Sequence, residues 1–370
     1  MTKKLIAMLL ALTLCVGLLA GCAQKETPAP TQEPETTEQT VTESQAEALA
    51  EKPAADEAEE VKPAPADTAA VELPHNPDFV VENGAVTFTD KLDRQVTIPQ
   101  NPERVVILDY DLLDLWYHAG GTAVGRTDHV LIEGRADEDD MGAAIRDVPV
   151  MNEAHDPVNM EMIVAQEPDL IIISPTSKTH LEAVAAIEQN NIPYFAWSYD
   201  TFEGFLENLE LFTLLNDRPD LYTQYATDNI TRVNAVREAI ADAEPVKMVM
   251  LLPHSTNGIY ALASSGYLGN LCNDMKLENI AGVDASTVIS IESLIDIDPD
   301  WILSRGGSGD GTEETALSIY EAYPLWNELT AVKEGHFKHL PSELFLYHAN
   351  TRYADAYEYL GHLIYPDCFD

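Results

Sequence analysis

Basic side chains are scarce in this chain of 370 residues. Lysine and arginine together number 21 against 63 aspartates and glutamates, and the formal net charge is −42. A protein this acidic is a poor partner for nucleic acid or for an anionic lipid surface. A charged, soluble surface accounts for most of the excess, so the charge alone identifies no ligand.

Cysteine is rarer still. The chain has four, and no Cys-x-x-Cys pair of the kind that binds structural zinc. Cys15 and Cys22 lie near the N-terminus, which leaves Cys272 and Cys368 in the second half. An oxidising exterior permits a bridge between these two thiols, but a sequence does not contain their separation, so the bridged and free states both stay open.

Long apolar runs are missing outside the N-terminus. Lys3 and Lys4 precede an apolar run over 5–20 that is too short for an ordinary membrane-spanning helix, so residues 1–21 are predicted to be an export signal. The run ends in Leu19-Ala20-Gly21-Cys22, which resembles the bacterial lipobox. That resemblance implies cleavage before Cys22, a diacylglycerol on its sulfur, and an extracytoplasmic protein held to the cell membrane by lipid.

Large apolar side chains are also scarce in residues 22–75, which are rich in Glu, Thr, Ala, Pro and Gln. Such a segment cannot bury enough surface to offset the entropy lost when its backbone is ordered. We expect a disordered tether that reaches roughly 40 Å from the membrane, if its end-to-end distance is about 5 to 6 Å times the square root of its length.

What the chain does contain is a motif used twice. Residues 159–172 and 290–303 share one layout, 131 positions apart: a helix-capping residue, a glutamate two positions later, an apolar-periodic run, and Pro-Asp at the start of an apolar strand. Each copy predicts a helix, a tight turn and a buried strand, the unit of a parallel sheet flanked by helices. One copy in each half predicts two similar lobes.

The remaining pattern supports an α/β fold. Asn83-Gly84 predicts a hairpin at the entry, and strands then alternate with helices on both sides of a long helical region. We predict an N-terminal lobe over 76–216, a stiff connecting helix over 217–244 and a C-terminal lobe over 245–370. A short strand is expected at 123–125, followed by an irregular stretch over 126–157.

The glutamates of the two copies, Glu161 and Glu292, permit two interpretations. A carboxylate in the first turn of a helix is stabilised by the helix dipole and by free backbone N–H groups. A matched pair of exposed carboxylates on two lobes can also bind two cations on a symmetric partner. The residues alone leave both open.

One short motif raises the possibility of an enzyme. Asp109-Tyr110-Asp111 directly follows a predicted buried strand, as in the nucleophile loop of haloacid-dehalogenase-like phosphatases. The pattern then departs from that family at Leu113, and no clear partner lysine or magnesium motif follows. A cleft-lining or helix-capping role for these carboxylates is the better prediction, and no catalytic or metal-binding residue is assigned.

Several segments recur together in one known family. They are Val86–Asp90 with Val96–Pro99, then Pro102–Val106, the two repeat copies, Gly335 and Phe337 before Leu340-Pro341, and the closing Leu360–Pro366. This combination resembles the iron-siderophore, haem and cobalamin binding proteins of ABC importers over essentially residues 79–370. Asp93 departs from the glycine that commonly stands there, a change confined to an entry turn.

The resemblance implies two Rossmann-like lobes joined by one long rigid helix, with the ligand in the cleft between them. It also implies that Glu161 and Glu292 dock onto an ABC permease dimer, which works with its ATPase, and that the protein is not an enzyme. Our prediction is a lipid-anchored receptor for a ferric siderophore. Haem or cobalamin is the alternative ligand, a surface adhesin is a further alternative, and no resident cofactor is expected.

Candidate ligand contacts are taken from loops that follow predicted strands. Aromatic and arginine side chains suit a bulky, planar or anionic ligand, through stacking and charge-assisted hydrogen bonds. The candidates are Tyr110, Arg126, His129, Trp197, Tyr199, Tyr267, Arg305 and Tyr347.

Overall fold

The computed structural model describes residues 71–129, 132, 140–152, 156–254, 257–306 and 312–369. All of them belong to one compact unit of the chain, Ala66–Asp370. Cys22, the predicted signal and the predicted tether up to residue 70 lie outside the described residues. Within the described ranges, none of the helices is both long enough and apolar enough to cross a membrane.

A small antiparallel sheet opens the described chain. Asn83 and Gly84 both have positive φ, 53° and 74°, as the tightest hairpin turn requires, so the predicted hairpin is confirmed. The strands pair in the order β1, β2, β3 and comprise β1 (Val80–Glu82), β2 (Ala85–Thr89) and β3 (Gln95–Pro99).

The sheet of the N-terminal lobe is parallel throughout, in the order β6-β5-β4-β7-β8. Crossovers between parallel strands bring all their carboxyl ends to one edge of the sheet. The elements are β4 (Val105–Ile107), α1 (Tyr110–His118), β5 (Gly125–Thr127), α2 (Asp140–Arg146), β6 (Val150–Asn152), α3 (Met160–Ala165), β7 (Leu170–Ile173), α4 (Lys178–Gln189) and β8 (Tyr194–Ala196).

One part of this lobe differs from the sequence-based prediction. The strand expected at 123–125 is β5, which begins at Gly125, and the stretch expected to be irregular contains α2 and β6. These elements have only seven and three residues, too few for a period of 3.6 or 2 to emerge. Their inner side chains, Ile145 and Met151, are nevertheless fully buried.

Two helices follow the first sheet. All five aromatic and leucine residues that predicted α5 (Phe202–Leu215) are buried in it. Helix α6 (Pro219–Ala239) is 21 residues long and links the two lobes. It packs against α5 on one side and the final helix on the other. The exact lobe boundaries at 216 and 245 remain predictions.

The sheet of the C-terminal lobe is mixed rather than wholly parallel. Strand β9 pairs in parallel with β11 and β13 but antiparallel with β10, because only three residues separate β9 from β10 and so short a connection makes a hairpin. The strands are β9 (Val246–His254), β10 (Gly258–Ala261), β11 (Leu277–Asn279), β12 (Thr287–Val288), β13 (Trp301–Ser304) and β14 (Phe337–His339), ordered β12-β10-β9-β13-β14 with β11 beside β9.

The helices of this lobe return the chain to the lobe junction. They are α7 (Gly266–Asp274), α8 (Ile291–Ile297), α9 (Glu313–Glu321), α10 (Thr330–Lys333), α11 (Ser342–Phe345) and α12 (Tyr353–Ile364). The ring of Tyr353 on α12 stacks on Phe205 of α5, with centroids 5.1 Å apart. One continuous apolar core therefore runs through both lobes, which makes the junction rigid.

Candidate functional site

A cavity lined by several of the predicted contacts lies where the strands of the N-terminal lobe end. Its volume is about 620 Å³, large enough for a small-molecule ligand. This is the edge of an α/β sheet at which ligands bind in general. The lining residues are Leu108, Asp109, Tyr110, Asp111, Thr127, His129, Ser174, Thr176, Ser177, Lys178, Thr179, His180, Glu182 and Tyr347.

Three aromatic rings form one wall of this cavity. Tyr110 at the start of α1 stacks on His129, which follows β5, with centroids 4.1 Å apart and planes 18° from parallel. Tyr347, from the segment between α11 and α12, meets the same imidazole edge-on at 4.1 Å. The structure thus brings three of the eight candidates together, from both lobes.

The start of α4 also lines the cavity, and it is rich in hydroxyl groups. Ser174 and Thr176 share a hydrogen bond of 2.9 Å between their side-chain oxygens, and those of Ser177 and Thr179 lie 3.1 Å apart. Ser177 also caps the helix by accepting a hydrogen bond from the backbone of His180. The amine of Lys178 is exposed and lies 3.6 Å from the carboxylate of Glu182, which lines the same cavity. Hydroxyls at a helix start favour a ligand with oxygen atoms that accept hydrogen bonds.

His180 closes the floor on that side as a neutral imidazole. Its side chain is buried, and burial lowers its pKa to about 4. The backbone N–H of Ser174 donates to Nδ1 at 3.2 Å, which assigns the ring proton to Nε2. The ring therefore adds no charge to the cavity at neutral pH.

Asp109 supplies the acidic corner of the cavity. Its carboxylate accepts a hydrogen bond from the backbone of Leu112 and so caps α1, which confirms the predicted capping role for Asp109. Asp111 does not cap the helix, because its carboxylate contacts His348. Burial, and then the charge of Asp111, raise the pKa of Asp109 to about 6. Among the described residues, no group of three or more His, Cys, Asp or Glu is arranged to hold a metal ion.

Tyr267 and Arg305 lie on the C-terminal side, around a smaller cavity of about 310 Å³. The hydroxyl of Tyr267 donates to the carbonyl of Leu344 at 2.7 Å, and the guanidinium of Arg305 donates to the carbonyl of Leu346. Both side chains therefore hold the segment that presents Tyr347.

The other three candidates are placed elsewhere. Arg126 is only 4 % exposed, and its guanidinium donates to the backbone carbonyls of Thr127 and Arg146. Trp197 is buried under the entry sheet, where Lys91 lies over its ring. Tyr199 is buried at the lobe junction and hydrogen-bonds to Asn350. As ligand contacts, all eight residues remain predictions.

The start of α4 was missed by the sequence reasoning. The signal was available, because Ser174, Thr176 and Ser177 directly follow the apolar strand β7 just as the chosen candidates follow theirs. Aromatic and arginine side chains were predicted as contacts because they suit a planar or anionic ligand, a criterion that hydroxyls do not meet. A different omission is Asp114, whose carboxylate accepts from the amide of Asn350 at 2.6 Å, a pair 236 positions apart with no local signal.

The repeated glutamates occupy equivalent places. Glu161 and Glu292 are both exposed in the first turns of α3 and α8. The caps match as well, because Asn159 accepts from the backbone of Met162 and Ser290 from that of Ser293. Since these side chains already cap the helices, the glutamates are available to a partner.

The two described cysteines are free thiols in this structure. Cys272 is buried in α7, and Cys368 is half-buried near the C-terminus.

Comparison with known proteins identifies relatives for most of the chain. A family model described as periplasmic binding protein matches residues 105–344. Two similar curated proteins come from Bacillus subtilis (strain 168). YhfQ, assigned by its name as an ABC transporter substrate-binding lipoprotein, is 24% identical over 262 residues, 66% of this chain and 78% of its own length. The Fe(3+)-citrate-binding protein YfmC is 23% identical over 245 residues, 65% of this chain and 74% of its own.

Solved structures agree on the fold. The Haemophilus influenzae molybdate-binding protein MolA aligns with a TM-score of 0.62 at 18% identity, over 76% of this chain and 92% of that one. The vitamin B12 binding protein BtuF of Vibrio cholerae aligns with a TM-score of 0.58 at 21% identity, over 72% of this chain and 97% of that one. Identities this low show the fold and leave the ligand undetermined.

Proposed function

This chain belongs to the periplasmic binding protein family and is the substrate-binding component of an ABC importer, and from that premise we propose that its cargo is a ferric siderophore or a related iron chelate. The family binds solutes and does not catalyse reactions. The phosphatase alternative is therefore set aside, in keeping with the role of Asp109 as a helix cap.

One observation carries the proposal: the cavity of about 620 Å³ is lined both by aromatic rings and by hydroxyl groups. A ferric chelate suits both groups of side chains. Its organic frame stacks on aromatic rings, and the oxygen atoms that bind its iron also accept hydrogen bonds. The resemblance to a protein named for binding Fe(3+)-citrate supports the same ligand class.

Haem is the alternative cargo, and the cavity also contains side chains of the types that hold a haem iron, namely His129, Tyr110 and Tyr347. Binding of haemin in preference to ferric chelates is therefore the outcome that contradicts the proposal.

The binding test uses the protein with Tyr347→Ala and a matched control, Tyr323→Ala, a half-buried tyrosine of the same lobe that lines none of the cavities described above. Ferric citrate, a ferric trihydroxamate, a ferric catecholate, haemin and cyanocobalamin are titrated against intrinsic fluorescence. We expect one ferric chelate to bind the unsubstituted protein and to bind Tyr347→Ala about fivefold more weakly, since losing a stacked ring costs about 1 kcal/mol. Exclusive binding of haemin or the corrinoid sinks the iron-chelate proposal.

Delivery completes the proposed function. We place the mature protein on the outer face of the membrane, held by lipid on Cys22, with Glu161 and Glu292 docked to basic side chains of the two permease subunits. The matched exposure of both carboxylates supports this assignment.

The delivery test is chelate import in cells whose own copy is replaced by Glu161→Ala with Glu292→Ala. We expect import to fall while chelate binding by the purified variant is unchanged. Normal import by the double variant contradicts docking through these residues. Absence of small-molecule binding, together with unchanged import by the double variant, instead favours the adhesin alternative. Labelling with radioactive palmitate, lost in Cys22→Ser, tests the anchor.

A further inference from the structure

Exposed apolar side chains are concentrated around the two copies of the repeated motif. Single exposed apolar residues are normal on any surface, but these are not randomly placed. In the described part of the chain seven large ones are exposed: two in the entry hairpin, and five beside α3 or α8, namely Met162, Val164, Leu181, Val288 and Ile295.

Two of the five occupy equivalent positions of the repeat. Val164 stands three residues after Glu161, and Ile295 stands three residues after Glu292. Their exposed fractions are 40% and 38%, so the correspondence extends from sequence to surface. Residues three apart lie on one face of a helix. Each lobe therefore presents a carboxylate directly beside a branched aliphatic side chain.

The helices are fixed so that this face points outward. Ile163 and Leu294, which immediately precede the exposed aliphatics, are fully buried. They anchor α3 and α8 in their lobes, and Val164 and Ile295 are left at the surface. Neither aliphatic residue contributes to the apolar cores of the lobes.

We infer that Glu161 with Val164, and Glu292 with Ile295, form two copies of one docking surface, each seated on one of two equivalent permease subunits that present a basic side chain beside an apolar patch. This rests on the proposed docking and adds the apolar component. A partner with two equal subunits is the one that uses a surface repeated on two lobes. The carboxylates select for basic charge on that partner, which neither a second copy of this acidic chain nor an anionic membrane supplies.

The two components have different tasks. Charges at a rim mainly set the association rate and the orientation of the partner, whereas desolvated apolar contacts mainly set how long the complex lasts. Removing the aliphatic side chains should therefore shorten the life of the complex and leave ligand binding intact.

The experiment identifies the partner by photocrosslinking in intact cells. A benzophenone amino acid is placed at Met162, or at Ile295, in the full chain. We expect both positions to crosslink to the same integral membrane subunit. Crosslinks to a second copy of this chain, to lipid alone or to nothing overturn the inference, and a benzophenone at Val81 serves as the exposed control on the entry hairpin.

Substitutions then separate this inference from the docking proposal. In Val164→Ser with Ile295→Ser, we expect the crosslink from Met162 to fall about tenfold, the effect of losing roughly 1.4 kcal/mol of apolar contact. Val81→Ser should leave it unchanged. If Glu161→Ala with Glu292→Ala abolishes the crosslink but the serine variant does not, the apolar inference fails and docking stands. If neither variant reduces the crosslink, the docking proposal and the apolar inference both fail.

Discussion

Asp111 and His348 are separated by 237 positions in the chain and meet through a contact of 2.7 Å between Oδ2 and Nδ1. The backbone N–H of His348 donates to the other oxygen of the same carboxylate at 3.1 Å. Asp111 belongs to α1 of the N-terminal lobe, and His348 to the segment after α11. This ion pair therefore joins the two lobes directly beside the proposed ligand cavity.

The pair predicts a pH-dependent contribution to stability. Burial alone lowers the pKa of His348, but the carboxylates of Asp111 and Asp200 outweigh it and raise the pKa to about 10. Because the folded-state pKa lies above the unfolded value of 6.5, the contribution is complete below pH 6.5 and is lost as the pH rises toward 10.

We expect His348→Gln to lower the free energy of unfolding by about 3 kcal/mol at pH 6, the cost of leaving one buried charge unpaired. The difference from the unsubstituted protein should shrink between pH 6.5 and 10. Urea unfolding at several pH values measures it, with the exposed His362→Gln as the control. A difference independent of pH contradicts the role assigned to the ion pair.

Substitution of Asp109 should stabilise the protein, whereas substitution of His348 should destabilise it. Burial and the neighbouring Asp111 raise the pKa of Asp109 to about 6, so the folded state binds an extra proton between the unfolded pKa of 3.8 and 6, and stability falls as the pH rises through that window. Asparagine caps a helix as well as aspartate does. Asp109→Asn should therefore add up to about 3 kcal/mol at pH 7.5, the energy equivalent of that pKa shift, and nothing below pH 4.

Thermal unfolding at pH 4 and 7.5 checks this prediction. A lower melting temperature for Asp109→Asn at pH 7.5 but not at pH 4 would show that the charge of Asp109 is stabilising in its cavity, contrary to the argument from burial.

Arg232 of α6 forms ion pairs with α12 that should contribute to the free energy of unfolding. Its guanidinium makes a two-pronged contact with Glu358, 2.8 Å from Nε to Oε1, and also reaches Asp355 at 2.7 Å. A half-exposed network with this geometry contributes about 1 kcal/mol and is weakened by salt. Arg232→Gln should lose that amount at low salt and less at high salt.

Arg232→Lys is the matched variant, since it keeps the charge and removes the planar fork. We expect Arg232→Lys to recover only part of the stability that Arg232→Gln loses, as measured by urea unfolding. Full recovery would mean that charge alone, without the two-pronged contact, joins the helices.

The two described thiols should differ in reactivity. Burial raises the pKa of Cys272 to about 12, which suppresses the reactive thiolate, whereas Cys368 is half-buried. In mature protein with Cys22→Ser, an aromatic disulfide reagent should modify one thiol quickly and the second only after denaturation. No reactive thiol in either condition would reveal a Cys272–Cys368 bridge.

Much of the local structure was predictable from the sequence. The turn at Asn83-Gly84, the buried face of α5 and the repeated helix and strand each follow from patterns a few residues long. Prediction failed where elements are short, as in β6, or where a connection decides strand direction, as between β9 and β10. A local period contains neither kind of information.

The candidate site was predicted less completely. Tyr110 and His129 converge as strand-end residues should, and Tyr347 joins them from the segment between α11 and α12. Arg126, chosen by the same rule, instead turns inward to the backbone of its own lobe. The hydroxyls at the start of α4 complete the cavity and were not foreseen. A position after a strand indicates which edge a residue is near, and its rotamer and neighbours decide whether it faces the cavity.

The sequence by itself determined the repeat, the family resemblance and the two matched glutamates, because caps and apolar periods act over one or two turns of chain. Only the tertiary structure decided which loops meet, since the contact of Asp111 with His348 and the aromatic wall of Tyr110, His129 and Tyr347 depend on residues more than 200 positions apart. Such contacts form through packing of whole lobes around α6, and no short pattern encodes that packing.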